Sequence, residues 1–212
     1  MEYATEEERL EAIRDWWKRW GKVIIAVILM GILAIVGTRY WMEQQAAQGE
    51  AASTLYGRMM LLAESGDWEA ADDMGGRLME EFTGTPYSPL AALVRARAAL
   101  AEGERETALS HLEWAEKRAE PESLRTLARI RRARIRLDGG DAERALSLAE
   151  EAAEATPAYR AGAREVAGDA LHALGRHEEA LEAYLEAREL GGSPTLPMKI
   201  DDLNTRIDGD TN

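Results

Sequence analysis

Residues 23–36 read VIIAVILMGILAIV, held between Lys22 and Arg39. No charge occurs from residue 23 to residue 38. With Trp20 before it and Tyr40, Trp41 and Met42 behind it, the apolar reach grows to about twenty residues, roughly one bilayer crossing. A buried core helix also produces apolar runs of this kind, and periodicity does not separate the two. The flanks separate them. Trp16, Trp17 and Trp20 precede the run and Tyr40 and Trp41 follow it, rings that favour the headgroup zone, while Lys22 and Arg39 can carry their charges outward on flexible stems. A cleaved signal peptide has a brief basic leader and a small-residue cleavage site, whereas here 22 residues with six acids come first and bulky side chains close the run. The stretch reads as an uncleaved membrane anchor.

Lys and Arg are retained on the cytoplasmic side of a membrane. Arg9, Arg14, Lys18, Arg19 and Lys22 lie before the run, and after it only Arg39 occurs until Arg58. The N-terminus is therefore expected inside and residues 43–212 outside. Of the 212 residues, six basic and six acidic ones precede Glu43, which leaves 20 basic against 33 acidic beyond it. Such an acidic surface disfavours nucleic acid and anionic lipid as partners. The chain has no cysteine. Disulfides, thiol catalysis and cysteine metal sites are thereby excluded, and packing alone must hold the exported part.

Ahead of the anchor, Leu10, Ile13, Trp16, Trp17 and Trp20 recur at helical spacing, opposite Glu8, Glu11, Arg14, Asp15 and Lys18. This is an amphipathic helix suited to lie along the membrane surface, with Gly21 as the bend into the span; docking of a cytosolic partner is the alternative. Beyond the anchor, residues 43–53 are rich in Glu, Gln and Ala without proline, so the helix is expected to continue as a stalk, weakest at Gly49.

The exported part repeats itself. Gly66-x-x-x-x-Ala71, Gly103-x-x-x-x-Ala108, Gly140-x-x-x-x-Ala145 and Gly175-x-x-x-x-Ala180 place their glycines 37, 37 and 35 residues apart. The glycine ends one helix in a left-handed conformation, the polar residues after it start the next, and the alanine lets the two helices approach closely. Seven residues before each glycine stand Met59, Ala96, Ala133 and Gly168, small in three of the four, where the first helix would meet its partner. Each unit is an αα-hairpin. The pattern resembles the tetratricopeptide repeat, a helix-turn-helix unit of about 34 residues, with Pro157 where that family places its closing proline. Pro86 and Pro121 are displaced and Gly192 stands there in the last unit, which marks a divergent version.

The expected units are 50–82, 86–119, 121–155 and 158–190. Hairpins of this kind bury their apolar faces only by stacking into a solenoid, and its end needs a polar cap. Residues 193–207 fit: Pro194 and Pro197 break the preceding helix, then Ile200, Leu203 and Ile207 form one stripe backed by Lys199, Asp201, Asp202 and Arg206. Residues 208–212 are expected to form a loose tail. No run of alternating β-branched and polar residues competes, so the fold class is all-α. The chain divides into a leader (1–21), a transmembrane helix (22–42), a stalk (43–53), four hairpins (50–190, the first overlapping the stalk) and a capping helix with tail (191–212).

Chemistry is sparse. Of the three histidines, His172 and His177 are five apart across a predicted turn, not at the i, i+4 spacing that suits a metal. Glu150, Glu151 and Glu154, like Glu178, Glu179 and Glu182, read as solvated faces with nothing apolar to raise a pKa. Gly139-Gly140 and Gly191-Gly192 end helices rather than open a phosphate loop. No catalytic, metal-binding or cofactor-binding residue is assigned, and no enzyme is expected. One constellation is a candidate partner-binding surface: Arg125, Arg129, Arg132 and Arg136 fall at i, i+4, i+7 and i+11 of one helix, and arginine suits paired recognition of carboxylates. The competing reading is a face balanced by glutamates of neighbouring helices, and a strict register turns part of the stripe inward.

The leader ending in aromatics, the Gly37-Thr38-Arg39-Tyr40-Trp41 exit, the repeats and the terminal Met198-Lys199-Ile200-Asp201-Asp202-Leu203 together resemble the YfgM family, ancillary subunits of the bacterial Sec translocon. That resemblance implies a bacterial inner-membrane protein with a periplasmic tetratricopeptide-like domain. It further implies association with SecYEG and with a PpiD-type membrane-anchored chaperone, a role in passing exported proteins to periplasmic chaperones, and a link to envelope stress signalling. No cofactor, nucleic acid or small-molecule substrate is implied. A general envelope scaffold for division or outer-membrane assembly is the alternative, distinguished by which proteins crosslink near Arg39.

Overall fold

The computed structural model describes the backbone of residues 6–210 and, apart from residue 15, the side chains of residues 14–207. Among these residues every regular element is helical. The order is α1 (Glu6–Ser65), α2 (Trp68–Glu81), α3 (Tyr87–Ala101), α4 (Arg105–Arg118), α5 (Glu122–Asp138), α6 (Ala142–Ala155), a 3-10 turn (Pro157–Tyr159), α7 (Arg160–Ala173), α8 (His177–Glu189) and α9 (Leu196–Asp210). Two compact units are distinguished, Met1–Glu50 and Ala51–Asn212.

In the first unit, α1 runs without interruption through Gly21, where a bend was expected. The glycine has a packing reason instead. A Cβ at position 21 would stand 3.2 Å from the Trp17 indole, so the missing side chain lets that ring lie along the helix. Gly49 likewise leaves the helix unbroken. Leu10 and Ile13 of the expected amphipathic face lie outside the described side chains.

In the second unit, the end of α1 and α2, then α3 and α4, α5 and α6, and α7 and α8 form hairpins, each packed on the next. Gly66, Gly103, Gly140 and Gly175 all have φ between 75° and 83°, a region costly for residues with a Cβ. The residue after each glycine donates its N–H to a carbonyl one turn back, as from Asp141 to Arg136 at 2.9 Å and from Arg176 to Leu171 at 2.9 Å, which satisfies carbonyls the helix end would orphan. Two of the next helices start on an aspartate: Asp67 accepts from the Ala70 N–H at 3.2 Å and Asp141 from the Arg144 N–H at 3.4 Å. Ala71, Ala108, Ala145 and Ala180 are fully buried at the hairpin crossings.

The exception to small residues in the facing helix, Met59, is also fully buried, and room for it comes from across the hairpin. A Cβ on Gly75 of α2 would lie 2.6 Å from Met59 Cε. In the last hairpin the trade runs the other way, and a Cβ on Gly168 would lie 2.5 Å from the Tyr184 ring.

The terminal helix differs from expectation in three respects. Pro197 sits inside the first turn of α9 rather than only ending what precedes it; α8 is stopped by Gly191, at φ 79°. Proline is tolerated there because early N–H groups of a helix have no intrahelical partner. Residues 208–210 continue the helix instead of forming a tail. Finally, Leu196, Ile200 and Leu203 are buried, but Lys199, expected on the solvent side, turns back to α7.

Candidate functional site

Among the described residues, one helix is long and apolar enough to cross a bilayer. Its large side chains from Val23 to Val36, except the half-buried Ile24, are exposed around the helix, and so are Trp16, Trp17, Trp20, Tyr40, Trp41, Lys22 and Arg39. A helix apolar on all sides needs an apolar surrounding, and among the described residues no protein core supplies one here. Trp16 and Trp17 have ring centroids 6.4 Å apart, a local aromatic collar before the run.

The arginine stripe on α5 is partnered within the domain. Glu116 of α4 is its hub: one of its carboxylate oxygens accepts from Arg129 at 2.7–2.8 Å and the other from Arg132 at 2.5 Å. Arg136 donates to Glu106 at 3.2 Å. Arg125 pairs with Glu122 at 3.0 Å and donates to the Glu120 carbonyl, and Glu151 of α6 stands 3.7 Å from Arg129. Arg129 and Arg132 are largely covered, as is Glu116 at 14% exposure. Arg129, Arg132 and Arg136 therefore tie α5 to α4, with Glu151 of α6 near Arg129, while Arg125 pairs within its own helix.

A second polar cluster locks α9 to the last hairpin. Lys199 Nζ donates to Glu165 Oε1 at 2.9 Å and to both Asp169 oxygens at 2.6 and 2.9 Å. Ser193 donates to Glu165 at 2.8 Å, and the Tyr184 hydroxyl donates to Asp169 at 2.6 Å. Burial alone would push the Glu165 carboxyl up, but the hydrogen bonds from Lys199, Ser193 and Thr195 and the ammonium charge bring it below its usual value. Burial acts on Lys199 in the lowering sense, yet its two carboxylate partners hold it above the usual value. Tyr184 is strongly raised, by burial first and then by Asp169. Within the terminal Met198–Leu203 motif, Ile200 and Leu203 are thus core residues and Lys199 forms an ionic latch.

Two features go beyond the sequence reading. His172 and His177 come together across the Gly175 turn, with ring centroids 5.2 Å apart. Among the described residues, however, no three metal-binding side chains converge. His111 sits beside the bidentate Arg95–Asp72 pair, its pKa lowered by burial first and then by Arg95. The second feature is a group of arginines off the stripe, Arg97, Arg131 and Arg134, which line a groove of about 260 Å³ between α3 and α5. The sequence carried a signal for it: Arg97 and Arg134 each stand six residues before a repeat glycine, Gly103 and Gly140.

The family described as a tetratricopeptide repeat-like domain matches residues 14–205. The chain is 28% identical over 189 residues to the ancillary SecYEG translocon subunit of Haemophilus influenzae, covering 86% of this chain and 92% of that one. It is 24% identical over 206 residues to the protein of the same name from Escherichia coli, covering 95% and 98%. Among solved structures, MamA from Desulfovibrio magneticus RS-1 superposes with a TM-score of 0.61 at 20% identity over 76% of this chain and 88% of that one. The tetratricopeptide domain of Sgt2 from Aspergillus fumigatus gives a TM-score of 0.51 at 25% identity over 58% and 81%. These likenesses to solved structures concern the fold.

Proposed function

The chain belongs to the tetratricopeptide repeat-like family, and from that premise we propose that it is a non-enzymatic, membrane-anchored ancillary subunit of the Sec translocon. The observation that carries this reading is the extent of similarity. Relatives named for the SecYEG translocon align from the anchor through the terminal helix, up to 95% of this chain, so anchor and repeats are shared as one unit rather than as a common repeat alone. In this reading residues 1–21 are cytoplasmic, 22–42 span the inner membrane, and the repeats with their cap lie in the periplasm, as the excess of Lys and Arg before the span favours.

The physical role follows from a tether and a scaffold. Fixing the repeat domain beside the translocon raises its local concentration at the exit site without any new contact. The stacked hairpins then offer a surface for a PpiD-type chaperone or an emerging chain, which supports passage of exported proteins to periplasmic chaperones. Affinity purification of the full-length protein in mild detergent should recover translocon subunits, and removal of residues 1–42 should abolish that recovery. Equal recovery with the repeat domain alone would refute the tether. A reporter fused after Asn212 should be periplasmic; cytosolic activity would overturn the orientation.

A further inference from the structure

Arg97 of α3 and Arg131 and Arg134 of α5 line one groove, whose floor is made by Leu93, Leu100, Leu112 and Ile135. Every arginine of the neighbouring stripe has a carboxylate partner, yet among the described residues none of these three guanidiniums lies within ion-pair distance of a carboxylate. Asp138 stands at the groove edge without pairing with them. The contact found for Arg97 is the Trp68 ring, 5.3 Å from its guanidinium carbon. Arg131 lies within electrostatic reach of Tyr56 and Tyr159 as well as of the other two arginines. Partial desolvation, then the like charges of Arg134 and Arg97, lower its pKa, so the groove holds concentrated positive charge inside a chain of net charge −13. Leu100 is 43% exposed in the same groove, an apolar surface next to that charge.

We propose that this groove is the docking site for an extended acidic segment of a protein partner, whose side-chain carboxylates pair with Arg97, Arg131 and Arg134 while an intervening apolar side chain seats on Leu93, Leu100 and Ile135. Arginine forks match planar carboxylates two bonds at a time, and an anion here relieves repulsion among three cations that the domain itself leaves unpaired. The apolar floor selects a peptide over a bare anion. Arg97 and Arg134 occupy equivalent positions of consecutive repeats, so successive hairpins present the same charge to a strand laid across them. This deepens the scaffold reading above by naming what the repeat domain holds.

The test uses the full-length protein in mild detergent and a short fluorescein-labelled peptide alternating Glu and Leu, with a copy in which Gln replaces Glu, read by fluorescence anisotropy. The Glu peptide should bind and weaken with salt, and the Gln copy should bind at least about tenfold less tightly, since charge-assisted bonds are lost. Arg131→Glu with Arg134→Glu should weaken the Glu peptide by a similar factor, while Arg77→Gln, on exposed α2 surface, should not. If the charge-reversed pair loses helicity, Arg131→Gln with Arg134→Gln carries the same expectation. Translocon co-purification is measured on the same variants, so loss of the anchor-dependent reading is distinguishable from loss of the groove. Equal affinity for the Gln copy, unchanged affinity in the folded double variant, or tighter capture of inorganic phosphate or phosphatidylglycerol vesicles than of the peptide overturns the proposal.

Discussion

Replacing Lys199 by methionine removes the latch on α9 while keeping the length of the side chain. Its ammonium meets Glu165 at 2.9 Å and Asp169 at 2.6 and 2.9 Å, with side-chain exposures of 28% for the lysine, 11% for Glu165 and 31% for Asp169. Breaking a fully buried pair costs about 3–5 kcal/mol, because a charge is left without compensation. Here water reaches all three groups, and Ser193 and Tyr184 still donate to the two carboxylates, so about 2 kcal/mol is the reasoned loss. The burial of Leu196, Ile200 and Leu203 contributes more, on the order of 1.5–3 kcal/mol each, so α9 should stay docked but open more often. Amide hydrogen exchange reads this directly, since local opening of 2 kcal/mol lower free energy speeds exchange about thirtyfold. The acceleration should be confined to α9 and the end of α8, and Lys199→Arg should recover part of it. If α9 exchanges within about twofold of the parent in Lys199→Met, the apolar contacts alone hold the cap and the latch account is wrong.

Other perturbations separate further parts of the structure. Gly168→Ala forces a Cβ to within 2.5 Å of the Tyr184 ring and should lower stability by about 1–3 kcal/mol, whereas Gly162→Ala, on the same helix with nothing within 4 Å, should raise it by about 0.5–1 kcal/mol; thermal unfolding of the two variants tests the contrast. Because the folded Glu165 carboxyl lies below its ordinary value of 4.5, its contribution is present above that value and fades as pH falls through the folded pKa; α9 exchange should therefore accelerate in acid before the other helices respond. Lys199 gives the opposite sign, its contribution being complete below 10.5 and lost only as pH rises through the higher folded value. Glu116→Gln should destabilise by about 1–3 kcal/mol, and the effects of Arg129→Met and Arg132→Met should cease to add once Glu116 is gone, as a double-mutant cycle by denaturant unfolding would show.

Much of this molecule is readable from local features of its sequence. The candidate membrane-crossing helix is legible because a bilayer asks only for a length of apolar residues and suitable flanks, both local properties of residues 16–41. The helical hairpins are legible for a similar reason: Gly66, Gly103, Gly140 and Gly175 end helices through their own backbone conformation, and an alanine five residues on marks the crossing. The all-α class and the existence of a terminal cap followed from such local rules.

What spacing could not supply is the identity of partners across helices. Four arginines at helical spacing look alike whether they face solvent, a ligand or glutamates, and only the stacking of α4, α5 and α6 aims Arg129, Arg132 and Arg136 at Glu106, Glu116 and Glu151. Lys199 reads as a solvent-side residue in the sequence, and only the packing of α9 on α7 brings it to Asp169; Met59, the one large residue among the four, fits because Gly75 lies opposite it. Arg97, Arg131 and Arg134 form a group because α3 and α5 line the same groove. Helix boundaries depend on near neighbours in the chain; ion pairs, close crossings and grooves depend on distances between residues tens of positions apart, which only the packed hairpins determine.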